Sequence, residues 1–178
     1  MTRGDQAGDQ VARVAWVALG ANLGRRGLAL ARLRRLLDEP PLHIAAASPE
    51  LVTRAVGVTT QPDFLNQVLR LDTEPPLTAT DWLSRCRAAE LAAGRRPTYR
   101  WGPRRADADL LLLGERGELR IGLPDLVVPH PALAERPFLC ALLATLDGEL
   151  THPDGWRFAD RAGRIGEMLT NPTGAATG

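Results

Sequence analysis

The stretch RWGPRRADADLLLLG, Arg100 to Gly114, sets two carboxylates one residue apart, directly after a run of arginines and directly before four leucines. Side chains alternate faces along a strand, so Asp107 and Asp109 point the same way at the mouth of a buried one. Two carboxylates held that close repel, and one has its pKa raised unless a cation sits between them. A lone D-x-D is most simply a solvated strand end. The flanking arginines and the apolar run shift the balance toward a charged site fixed on a rigid element.

A chain of 178 residues supports one domain with a sizeable core and is short for two. Its 44% apolar and 24% charged residues are those of an ordinary soluble protein. The longest apolar stretches, such as FLCALLATL (Phe138 to Leu146), fall far short of a membrane span. Residues 1–10 are polar and Gly-rich, and read as a disordered leader rather than a secretory signal. The tail NPTGAATG is weakly specified, with 171–178 expected to be flexible, which leaves 11–170 as a single domain. Cys86 and Cys140 each sit in apolar helical patterns and read as reduced core residues of a cytoplasmic protein.

A net charge of +1 argues against a nucleic-acid binder, whose affinity comes mostly from excess basic charge. All 22 basic residues are arginine. A P-loop lysine and a Schiff-base lysine are thereby excluded. Any phosphate site must be built from Arg forks, backbone N–H groups and metal.

Along the chain, Val11 to Gly20 reads as a strand entering the Gly-rich turn GANLG, and Gly27 to Leu37 as a helix with Leu30, Leu33, Leu36 and Leu37 at helical spacing. Pro40 and Pro41 end it. His43 to Gly57 is extended or irregular, and Gly57 to Pro62 a mobile loop. Asp63 to Asp72 alternates, with Leu65, Leu69 and Leu71 on one face and Phe64, Asn66 and Val68 on the other. Thr80 is placed to cap a helix to about Ala93. Gly94 to Pro103 is a basic loop; Asp107 to Leu113 is a strand that GERGEL turns into a hairpin partner through Ile121. LVVPHP (126–131) is extended, Pro137 opens a helix through Leu146, and Asp160 to Leu169 is a last amphipathic piece. This order predicts an α+β domain with a mostly antiparallel sheet and helices packed on it.

Four features can carry chemistry. Asp107 and Asp109 offer hard oxygen ligands of the kind Mg²⁺ takes, one or two carboxylates alongside water and phosphate. Arg95, Arg96, Arg100 and Arg104 lie in the loop that leads to them, although arginines alone are more often a solvated surface. His130 is fixed between prolines and followed by Arg136; a lone histidine is more often structural. Phe64 and Asn66 share a strand face, which is either a pocket for a flat ring or core plus rim.

Together, ALGANLG, QPDFLNQV, RWGPR with D-x-D, and VPHP followed by ERPF resemble, in order, the motifs of the 6-hydroxymethyl-7,8-dihydropterin pyrophosphokinase family, from about Val14 to about Gly155. The resemblance implies a ferredoxin-like sheet with helices on both faces, a three-layer α/β/α arrangement. It implies transfer of pyrophosphate from ATP to 6-hydroxymethyl-7,8-dihydropterin, releasing AMP, in folate biosynthesis. On this resemblance Asp107 and Asp109 hold two Mg²⁺ ions, and Arg95 and Arg104, with Arg96 and Arg100, neutralise phosphate. Glu90, Leu126, His130 and Arg136 correspond to ATP-contacting positions. Phe64 and Phe138 would stack on the pterin, Thr53 and Asn66 read its edge, Val56 lie beside it, and Trp101 help close a lid over both substrates. Partners are then small molecules, with neither nucleic acid nor membrane. No general base stands out, and the resemblance leaves that work to the metal.

The chain departs from the family pattern at Ala108, where a bulky aliphatic residue is usual, and at Arg54, which replaces a proline of the pocket wall. The basic loop is also a residue short. Two other classes fit parts of the pattern: a D-x-D nucleotidyltransferase, which would release pyrophosphate, and a relative that binds nucleotide or pterin without turnover.

Overall fold

The computed structural model describes residues 10–55, 61–96 and 104–165. The expected leader apart from Gln10, the expected tail, most of the 57–62 loop, and Val56, Arg100 and Trp101 lie outside the described residues.

Strand β1, Val11–Ala21, occupies the middle of the sheet. It pairs antiparallel with β4, Phe64–Thr78, on one side and with β5, Asp107–Leu113, on the other. Two shorter strands, β2 (Leu42–Ala47) and β3 (Leu51–Thr53), pair end to end along the far side of β4, giving the order β2-β4-β1-β5. Helices α1 (Arg26–Leu37), α2 (Ala79–Ala92), α3 (Pro137–Leu146) and α4 (Phe158–Arg161) complete an α+β fold.

Alternation along β1 divides its side chains between two cores. Ala15, Val17, Leu19 and Ala21 pack with Leu30, Leu33 and Leu37 of α1 and with Trp82, Cys86 and Ala89 of α2. Val14 and Trp16 pack with Leu139, Cys140, Leu142 and Leu143 of α3 and with Phe158 of α4. The two buried tryptophans bridge core and backbone, Trp82 Nε1 donating to Ala12 O at 3.2 Å and Trp16 Nε1 to Gly114 O at 3.3 Å. Replacing either by alanine would cost about 3–5 kcal/mol in lost burial and cavity. Both cysteines are free and buried. Among the described residues no helix is long and apolar enough to cross a membrane.

Several sequence expectations are corrected. The first concerns β4, which does not end at Asp72 but runs on to Thr78. Its pairing with β1 jumps from Val14↔Asp72 to Ala12↔Leu77, so Pro75 and Pro76 fall where no ladder partner is needed. The α2 cap is Thr78 rather than Thr80, because Asp81 stands three residues after Thr78 and closes a capping box. Thr78 Oγ1 accepts from Asp81 N at 3.1 Å, and Asp81 Oδ2 accepts from Thr78 N at 3.3 Å.

The expected hairpin partner of β5 is also absent. Residues Ile121–Leu123 form β6, which pairs with β7 (Leu126–Val128) in a separate two-stranded sheet. The chain does turn at Gly114, whose φ of +99 suits glycine, and Leu119 N returns to Leu113 O, but the ladder stops there. The 43–57 stretch, expected to be extended or irregular, is extended in β2 and β3 within its described part. Residues 166–169 of the expected last amphipathic piece lie outside the described residues; in its described part α4 begins two residues early, at Phe158, whose ring is fully buried.

Candidate active site

The site lies where the C-terminal end of β1 meets the N-terminal ends of β4 and β5. Gly20 stands opposite Asn66 on one side and opposite Asp107 on the other. Asp107 and Asp109 share a face of β5 and both line a cavity of about 440 Å³. Between them Ala108 points the other way, into the core beneath α1 and α2, and its N–H donates to Glu90 Oε1 at 2.8 Å. The small residue at this position therefore alters packing beneath the site and leaves both carboxylates on the cavity face.

The arginines reach Asp107 from two directions. Helix α2 ends in a reversal in which Gly94 (φ +96) lets its own N–H bond Leu91 O and the Arg95 N–H bond Glu90 O, both at 3.0 Å. That reversal folds Arg95 back over its own helix. Its guanidinium bonds Glu90 Oε1 and, at 2.9 Å, Asp107 Oδ1. From the opposite side Arg104 pairs with Asp107 Oδ2. Burial works against the Arg104 charge, but the neighbouring carboxylates, Asp107 foremost, outweigh it and hold the guanidinium above its ordinary pKa.

Asp109 and Glu90 carry raised pKa values. Burial pushes the Asp109 carboxyl up to about 6, with the Asp107 charge adding to the rise and Arg104, Arg136 and Arg95 opposing it. Burial likewise pushes Glu90 up to about 7, opposed by the Ala108 N–H bond and reinforced by Asp107. His130 is lowered, first by burial and then by the Arg136 charge. Its Nδ1 accepts from Ala132 N at 3.1 Å, which assigns the ring proton of the neutral form to Nε2. The His130 backbone is pinned to β5 through Leu111 O at 2.9 Å.

Opposite the carboxylates, Thr53 and Phe64 are register partners, and Asn66 Nδ2 donates to Thr53 Oγ1 at 2.8 Å. These three residues line the same 440 Å³ cavity as Arg104, Asp107, Asp109, Arg136 and Phe138. Arg54 lines it too. A second cavity of about 410 Å³ is walled by Glu90, Arg95, Leu126 and the β6–β7 turn. The two meet at Asp109, His130 and Pro131, which line both.

Most sequence-derived candidates thus converge on two adjoining pockets with the acids at their junction. Arg96 is exposed and lines neither. Sequence reasoning passed over Arg87 and Asp125 on the second cavity and Gln61 and Glu135 on the first. It also assigned no role to Asn22. Asn22 stood in GANLG, Gln61 at the head of QPDFLNQV and Glu135 at the head of ERPF, so each carried a motif signal, whereas Arg87 and Asp125 are brought in by tertiary packing.

A family model described as 7,8-dihydro-6-hydroxymethylpterin-pyrophosphokinase matches residues 16–148. The chain is 40% identical over 141 residues to a 2-amino-4-hydroxy-6-hydroxymethyldihydropteridine pyrophosphokinase of Pseudomonas aeruginosa, covering 79% of this chain and 84% of that protein. It is 34% identical over 134 residues to a Bacillus subtilis protein of the same name, covering 75% and 77%. A mitochondrial folate synthesis bifunctional protein of Pisum sativum is 33% identical over 138 residues, which are 78% of this chain and 26% of that larger one. With the acids, arginines and paired pockets in place, the chain belongs to the 7,8-dihydro-6-hydroxymethylpterin-pyrophosphokinase family and is an enzyme of that kind.

Proposed function

We propose that this enzyme transfers pyrophosphate from ATP to 6-hydroxymethyl-7,8-dihydropterin, giving AMP and the pterin diphosphate, as a step of folate biosynthesis. The observation that carries the reading is the junction of two cavities, each of a size that suits a heterocyclic ligand, at Asp109 and His130. The nucleoside occupies the pocket of Glu90 and Leu126, the pterin the pocket of Phe64 and Asn66, and the phosphates the ground between.

The donor set fits Mg²⁺. Two carboxylates on one strand face supply hard oxygens, and Asp109 is destabilised in its ionised form as a ligand awaiting a cation would be. Among the described residues no group of three His, Cys, Asp or Glu could cage a metal, so the fit is to an ion that shares its shell with phosphate and water. Asp107 and Asp109 would hold Mg²⁺, two ions by family resemblance, which when bound neutralises phosphate charge and acidifies the attacking hydroxyl.

The chain's own residues perform the positioning. Phe64 and Phe138 flank a planar ring and Thr53 and Asn66 read its edge. Arg95 and Arg104 leave Asp107 for the polyphosphate, where fixed guanidinium forks stabilise charge developing at the β-phosphorus and leaving oxygen. Glu90 keeps Arg95 on the helix end throughout. Neutral His130 donates through Nε2 and Arg136 adds positive charge from the start of α3; Arg96 and Arg100 toward the phosphates, Val56 beside the pterin and Trp101 in closing a lid follow the family resemblance.

The two cores on opposite faces of an antiparallel sheet support the ferredoxin-like three-layer reading of the fold. Two buried free thiols support a reducing, cytoplasmic setting.

Incubating the protein with ATP, Mg²⁺ and the pterin and resolving the nucleotide products tests the reaction. AMP in equal amount to pterin diphosphate is expected. Release of inorganic pyrophosphate would instead make the enzyme a nucleotidyltransferase.

A further inference from the structure

We infer that Asn22 is a positioning residue that sets the ring cavity and the phosphate-binding arginine in register with each other, an inference resting on the substrate assignment above. Asn22 is 1% exposed, two residues beyond Gly20 in the GANLG turn, and its hydrogen bonds run to Gln61, Pro62 and Arg104. Its polar groups face two ways. Toward β5 its Oδ1 accepts from Arg104 N at 2.8 Å, and its own N–H donates to Arg104 O at 3.0 Å. Toward β4 its Nδ2 donates to Gln61 Oε1 at 3.0 Å and to Pro62 O at 3.3 Å.

Each partner leads directly to a substrate group. Arg104 carries the guanidinium that pairs with Asp107, and the two-way backbone bond to Asn22 fixes where that side chain starts. Pro62 is two residues before Phe64, and Gln61 lines the ring cavity. One buried amide therefore ties together the approach to the ring face and the base of the arginine, which come from segments about 40 positions apart in sequence. Only asparagine offers an acceptor and a two-proton donor on so short a stem, whereas aspartate has the acceptor alone. Leaving either arm unmade strands a buried polar group.

The two arms separate by substitution in the full-length chain. Asn22→Asp keeps the acceptor for Arg104 N–H and loses the donor to Pro62 O, whose carbonyl cannot turn to compensate. Asn22→Ala loses the side-chain bonds of both arms and keeps only the main-chain bond to Arg104 O, and Gln61→Ala removes part of the ring-side arm without altering Asn22. Hydrogen exchange is read over residues 61–66 and 104–109, and calorimetry measures binding of 6-hydroxymethyl-7,8-dihydropterin and of a non-hydrolysable ATP analogue with Mg²⁺.

With Asn22→Asp, exchange rises over 61–66 only. Pterin binding weakens about three- to tenfold and nucleotide binding stays within about twofold. Gln61→Ala follows the same pattern. Asn22→Ala raises exchange over both segments and weakens both ligands, so that aspartate rescues the nucleotide side alone. Equal loss of both ligands in Asn22→Asp and Asn22→Ala, or unchanged exchange over 61–66 in both, overturns the inference. If the exchange pattern appears while the wild-type chain binds no pterin, the coupling stands and the substrate assignment falls.

Discussion

Asn66 and Asp107 face the same residue, Gly20, from the two strands that flank β1. Two interstrand spacings separate their backbones, about 10 Å. A Cβ on Gly20 would lie 3.6 Å from Asn66 Oδ1 and 3.9 Å from the Asp107 Cβ. Glycine keeps the floor between them open. The group that reads a ring edge and the group that faces phosphate are therefore held apart by the sheet itself and by no loop, which suits a reaction whose catalysis is mainly positioning.

Asp107→Asn and Asp109→Asn should each lower kcat/KM by about a hundredfold or more at saturating Mg²⁺, because phosphate charge loses several kcal/mol of neutralisation. The two should differ in stability without metal. Asp107 is the shared partner of Arg95 and Arg104, so its loss leaves both cations facing each other and lowers Tm. Asp109 is ionised against its burial, so Asp109→Asn should raise Tm above pH 6. Near-normal rates in either variant would remove the pair from the metal role.

Glu90 predicts a pH trend in Mg²⁺-free buffer. Its proton is held more tightly in the folded protein, up to about 7, than at its ordinary value of 4.5. The folded state therefore binds more protons across that window, and stability falls as pH rises through it, reaching its full loss above pH 7. Asp109, raised from 3.8 to about 6, acts in the same direction. Glu90→Gln keeps an acceptor for the Ala108 N–H and removes one share of the decline. Relative to wild type, the variant should be more stable at pH 8 than at pH 5 in urea melts, and an offset constant across that range would contradict the assignment.

The thiols give a simpler outcome. Burial pushes Cys86 up to about 12, with Glu90 and Asp109 adding, and Cys140 up to about 11. Neither supplies appreciable thiolate at neutral pH, and both are shut away in the cores. A disulfide-exchange reagent at pH 8 should report almost no reactive thiol in the native protein and both in denaturant. Rapid native labelling of either would show that its core opens.

What the sequence made legible were features written in local pattern. Pro137 marks the start of α3 because a missing N–H costs nothing there, and the DADLLLL run marks β5 because its alternation and its leucines agree. Hidden features depend on partners distant in the chain. The β6–β7 pairing looked like a hairpin with β5, since turn residues announce a reversal without naming the strand that receives it. Glu90 could be placed only by resemblance, and although Gly94 just past the helix signals a left-handed cap, nothing local said that the reversal would throw Arg95 back onto Glu90. The cluster around Asp107 is a product of that reversal.

Phe64 separates the pterin assignment from the ATP assignment. Its ring belongs to neither hydrophobic core, is half-buried, and lines the cavity together with Phe138. A phenylalanine left out of both cores, on a strand face beside Asn66, contributes little to folding and is free to stack on a heterocycle. Phe64→Leu keeps an apolar side chain of similar reach and removes the π face, which is worth about 0.5–1.5 kcal/mol beyond area burial. Pterin affinity should fall about three- to tenfold by the usual conversion. Binding of a non-hydrolysable ATP analogue should hardly change, since Glu90, Arg95 and Leu126 wall the other cavity. Melting temperature should stay close to wild type. Calorimetric titration with each ligand and a melting curve settle the matter: a large drop in Tm with unaltered pterin binding would make Phe64 a structural residue and take the ring pocket away from this face of β4.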